Sequence, residues 1–67
     1  MDIIEEKKKI IMELMSDKHY VPMKFKELVI VLNVKKEDRK LLDIVLSELI
    51  NEGKIMLSKR GKYSIPK

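Results

Sequence analysis

The sequence has no cysteine and no tryptophan, a single histidine, and only two glycines and two prolines among its 67 residues. Without cysteine there is no disulfide staple and no thiolate metal site. That fits a reducing cytoplasm, the expected location. One histidine without cysteine leaves no convergent set of groups for nucleophilic catalysis, so no enzyme is expected in this chain by itself. Two glycines are too few for a glycine-rich phosphate loop. No apolar run approaches the roughly 20 residues of a membrane span. The opening "MDIIEEKKKII" puts acids ahead of its lysines and lacks a small-residue cleavage site, unlike a secretory signal.

Charge is abundant. Charged residues make up 39% of the chain and hydrophobic ones 45%, a balance that suits a folded domain. A chain of this size buries only about 60% of its unfolded surface, so residues 1–67 are read as one small domain. The net charge is +4. Residues 54–67 carry five basic groups (Lys54, Lys59, Arg60, Lys62 and Lys67) and no acid, whereas residues 1–53 carry ten basic and eleven acidic groups. The whole positive excess therefore sits at one end. That is a footprint for polyanions or, equally, the solvated edge of a small sheet.

Hydrophobic periodicity predicts three helices. The first covers 2–17, with Asp2 as its cap and Glu5 completing a capping box. Ile3, Ile10 and Leu14 make one stripe, and Ile4, Ile11 and Met15 the neighbouring one. Glu5 and Lys9 stand at pairing distance on the outer side. Pro22 then favours an extended segment near 20–23. The second helix covers 24–32 and buries Phe25, Leu28, Val29 and Leu32, with Asn33 as a left-handed stop. The third covers 36–52. Glu37 and Asp38 lie in its first turn, where the macrodipole favours acids. Leu42, Val45, Leu46, Leu49 and Ile50 form its apolar stripe, widened by Leu41, and Gly53 ends it. "KIMLS" and "KYSI" alternate apolar and polar around Lys59, Arg60 and Gly61, a hairpin signal. Ile55, Leu57, Tyr63 and Ile65 are its candidate anchors. Met12, Met15, Met23 and Met56 are expected to fill gaps in the core.

This order predicts an α+β winged helix: a three-helix core with helix-turn-helix geometry, a C-terminal two-stranded wing and a short extra strand near 20–23. Two surfaces are candidates for nucleic acid. One is the wing, through Lys54, Lys59, Arg60 and Lys62, whose long cations can follow phosphates without reading bases. The other is the start of the third helix, through Lys36, Arg39 and Lys40. Farther along that helix, Asp43, Glu48 and Glu52 are expected to repel phosphates and oppose insertion into a major groove. His19 lacks partners for a ligand role, and Tyr63 is expected to pack rather than stack on a base. No metal site is predicted.

The chain also resembles the small winged-helix domain at the N-terminus of bacterial RNase R-type 3′–5′ exoribonucleases. The resemblance rests on "HYVPM", "KELVIVLNV", "LLDIVLSELINEGKI" and the basic "SKRGKYSIPK", in that order across nearly the whole chain. Lys24 and Asn33 depart from it, since relatives often carry threonine or serine and glycine at those places. The resemblance implies an N-terminal fragment of a larger hydrolase. Its divalent metal would belong to a catalytic domain outside these residues. The implied role is a non-catalytic accessory domain that helps engage or unwind structured or double-stranded RNA through nonspecific backbone contacts, as a monomer. The alternatives are a transcription regulator's DNA-binding domain, or a protein–protein docking module seated on other domains of the nuclease.

Overall fold

The computed structural model describes residues 3–66. The Asp2 cap and the Lys67 charge lie outside them. In chain order the elements are α1 (Ile3–Ser16), β1 (Met23–Lys24), α2 (Phe25–Val31), a 3-10 turn (Lys36–Asp38), α3 (Arg39–Asn51), β2 (Met56–Leu57) and β3 (Lys62–Ser64). The fold is α+β: three α-helices with a three-stranded antiparallel sheet in the order β1-β3-β2. The extended segment expected near 20–23 contributes only its last residue to the edge strand, which is Met23–Lys24. Met23 stands opposite Tyr63 and Lys24 opposite Lys62. On the other side of β3, Met56 stands opposite Ser64 and Leu57 opposite Tyr63.

A helix can turn only one stripe fully inward. In α1 that stripe carries Ile11 and Met15, which are buried, while Ile3 and Ile10 on the neighbouring stripe stay 60% and 52% exposed. α3 supplies the largest share of the core with Leu42, Val45, Leu46 and Leu49, and Leu28, Val29, Ile55 and Tyr63 complete it. Ile50, Leu41, Phe25 and Leu32 are half-buried against this cluster.

α2 and α3 end in the same way. Asn33 has φ 53° and Gly53 φ 75°, both left-handed. After α2, the Asn33 amide donates to Ile30 and the Val34 amide to Val29; after α3, the Gly53 amide donates to Ile50 and the Lys54 amide to Leu49. This double closure is the Schellman pattern, which satisfies carbonyls that the helix leaves open. At the start of α2, the Lys24 amide donates to Glu27 Oε1 at 3.0 Å. A lysine side chain has no acceptor to return, so the glutamate alone serves this end.

Several expectations change. The third helix does not run unbroken from Lys36. Its first three residues form the 3-10 turn, and Asp38, at φ −98° and ψ 0°, leads into α3 without a side-chain capping bond. Glu37 and Asp38 therefore precede α3, whose own first turn contains no acid. The hairpin strands are shorter than 54–58 and 62–65, and β2 begins only at Met56 because the Lys54 and Ile55 amides are both spent on the Leu49 carbonyl in closing α3. Finally, Leu57 is not an anchor. It shares a sheet face with Tyr63, as directly opposed residues do, but on the edge strand it lies past the rim of the core and is 47% exposed. Met56 is likewise exposed and fills no gap.

Candidate nucleic-acid interface

The hairpin turn is built from Ser58 to Lys62. The Gly61 amide donates to the Ser58 carbonyl at 3.0 Å, and the Ser58 amide donates to the Lys62 carbonyl at 2.9 Å. Gly61, at φ 79°, takes the left-handed position that a three-residue hairpin loop demands. The Lys62 amide donates to Ser58 Oγ at 3.1 Å. Lys59 and Arg60 are thereby held at the turn, both exposed, and no carboxylate pairs with either among the described residues.

The hairpin is tied to the core through tyrosine. Tyr63 is 8% exposed. The Tyr20 hydroxyl donates to the Tyr63 carbonyl at 2.7 Å, joining the α1–β1 connection to β3. Burial raises both phenol pKa values, and the charge of Asp43 adds to the effect at Tyr63. Tyr63 is thus packed rather than presented for stacking.

The other predicted cations are placed differently. Lys62 is half-buried in β3. Lys54 follows α3, and its ammonium stands 3.7 Å from Glu52, so it is shared with a carboxylate of the chain itself. Lys36 is exposed in the 3-10 turn, and Arg39 and Lys40 are exposed in the first turn of α3. No hydrogen bond or ion pair joins this group to the hairpin cations among the described residues.

The charge on α3 is not distributed as its sequence implies. Lys8 of α1 is buried, and its ammonium stands 2.7 Å from Glu52, 3.1 Å from Glu48 and 3.4 Å from Glu5. Glu5 therefore pairs with Lys8, not with Lys9. The bonds to Glu52 and then Glu48 raise the Lys8 pKa well above its usual value, and the Lys8 bond lowers that of Glu52. Two of the three acids expected to repel phosphates along α3 are thus drawn toward α1, where one ammonium, shared with Glu5, offsets part of their charge. The exposed stripe left on α3 is Lys40, Ile44, Ser47 and Asn51, with Asp43 beside it. Lys8 was legible in one respect: Ile4, Lys8, Ile11 and Met15 are spaced as one helical stripe, which puts the lysine on the buried line.

The His19 amide donates to Asp17 Oδ1 at 2.8 Å, closing the turn after α1. Among the described residues, no group of three or more histidine, cysteine or acidic side chains is placed to hold a metal ion. No described helix is long and apolar enough to cross a membrane. No protein-family model matches the chain, and no curated protein matches it either.

Proposed function

We propose that this chain is a winged helix that contacts nucleic-acid backbone without catalysis of its own, serving as an accessory domain of an RNase R-like exoribonuclease that engages structured RNA. The observation that carries the reading is the pair Lys59 and Arg60, presented at the hairpin turn with no carboxylate partner among the described residues. The element order and the β1-β3-β2 sheet are compatible with a wing placed after a helix-turn-helix pair. The sequence resemblance, not the charge, turns the partner toward RNA.

So few cations give weak and salt-sensitive binding, with a slope no steeper than about −0.7 per contacted phosphate on a single strand. The test is titration with structured and single-stranded RNA at low salt, repeated with Lys59→Glu/Arg60→Glu. A loss of affinity in the double variant is expected; unchanged affinity would overturn the wing as the contact surface.

A DNA-binding reading is favoured by one observation. With Glu48 and Glu52 drawn to Lys8, the exposed stripe of α3 carries Lys40, Ser47 and Asn51, with Asp43 as the exposed acid beside it that no ion pair engages among the described residues. Amide and hydroxyl side chains of that kind can read base edges in a major groove. A preferred duplex sequence with major-groove footprint protection would establish this reading over the first.

A further inference from the structure

Lys24 and Lys62 are directly opposed across β1 and β3. Directly opposed residues share a sheet face. The neighbouring pair, Met23 and Tyr63, packs on the core, so the lysines lie on the face turned away from it. Lys62 gives both of its backbone groups to Ser58, the amide to Ser58 Oγ and the carbonyl to the Ser58 amide. Its pairing with Lys24 is therefore the non-hydrogen-bonded kind, in which opposed side chains approach most closely, with Cα atoms about 4.5 Å apart.

Like charges so placed are destabilising, and no ion pair relieves them among the described residues. Glu27, the acid bonded to Lys24, is engaged by its backbone amide rather than its side chain. Lys62 also stands two positions after Arg60 in the chain, next to the hairpin turn.

We infer that Lys24 and Lys62 form a phosphate-contact site on the outer face of the sheet, over which the backbone of a bound nucleic acid passes from the hairpin turn toward the start of α2. This rests on the nucleic-acid reading above and adds Lys24 to the interface. A polyanion bound there removes the repulsion that the free fold carries.

The inference has an unusual signature, because one substitution should move stability and binding in opposite directions. Lys24→Glu replaces a repulsive pair with an attractive one, so the melting temperature should rise by about 1–6 °C. Affinity for RNA should fall about three- to tenfold at low salt, with a shallower salt slope. Lys24→Gln, which adds no carboxylate beside Glu27, should shift both in the same directions by less. Lys9→Glu, an exposed site on α1 with the same change in charge, should leave RNA affinity within about twofold. Unchanged affinity in Lys24→Glu, with the Lys59→Glu/Arg60→Glu variant losing binding, would overturn the inference and leave the wing intact. Unchanged affinity in both would overturn the nucleic-acid reading itself. Tighter binding to polyglutamate than to RNA at equal charge concentration would overturn nucleic acid as the occupant.

Discussion

The ammonium of Lys8 on α1 stands 2.7 Å from the carboxylate of Glu52, 44 positions away, just past the end of α3. It bridges the two helices that pack most extensively on one another and gathers Glu48 and Glu5 into the same cluster. Its effect reaches the candidate interface, because it sets how much negative charge α3 presents.

This cluster should leave a mark on acid stability. The Glu52 pKa is lowered in the fold from its ordinary 4.5. Its contribution is complete above that value and is lost as the pH falls through the lower folded value. The Lys8 pKa is raised from 10.5, so its contribution is complete below 10.5 and is lost as the pH rises through the higher folded value. Lys8→Met keeps the packed stem and removes the charge. Thermal melts between pH 2 and pH 8 should show a flatter acid limb for this variant than for the parent chain. An acid limb as steep as the parent's would remove the cluster as its cause.

Lys8→Met should also weaken RNA binding even though Lys8 is buried. Glu48 would lose its counter-ion and Glu52 the nearer of its two, and the negative potential beside the exposed α3 stripe would grow. The expected loss is about two- to fivefold at low salt, vanishing at high salt where such potentials are screened. Parallel titrations at two salt concentrations measure it.

Tyr20→Phe deletes only the hydroxyl that donates to the Tyr63 carbonyl. A hydrogen bond of this kind contributes about 1 kcal/mol, and its loss should lower the melting temperature by about 4–8 °C in a domain of this size. Hydrogen exchange should show the largest protection loss in β3. Equal loss across all elements would indicate global destabilisation instead of a loosened hairpin.

Gly53→Ala isolates a backbone effect. A Cβ at Gly53 would meet nothing within 4 Å, so the penalty comes from the positive φ alone. The expected cost is about 1–2 kcal/mol. Urea melts should show a lower midpoint with an unchanged slope.

Leu46→Ala should be far more costly. Leu46 is fully buried on α3, and such truncations cost about 2–5 kcal/mol. Ile30 is 77% exposed, and Ile30→Ala should change stability by no more than about 0.5 kcal/mol. A comparable loss at both sites in urea melts would contradict the assignment of the core.

Features decided within a few residues were legible in the sequence. The three helices follow from apolar spacing. Asn33 and Gly53 stop two of them because a left-handed residue closes a helix through bonds to its own last turn. The Lys59–Gly61 turn follows from a glycine at the position that demands a positive φ. Clustering of the positive excess after Gly53 is also a property of the chain alone.

Tertiary structure decided the rest. Periodicity offers α1 two adjacent stripes but does not say which one meets α3; packing chose Ile11 and Met15 and placed Lys8 about one turn before Ile11 on the same buried line. Alternation gives Leu57 the same face as Tyr63, but only its place on the outer strand leaves it uncovered. Glu48 and Glu52 read as exposed repulsion until α1 brings Lys8 to them. The opposition of Lys24 and Lys62 depends on sheet register, which joins segments far apart in the chain. Local rules set backbone shape within a turn or two, while the electrostatic character of the surface depends on contacts that exist only once the chain has closed.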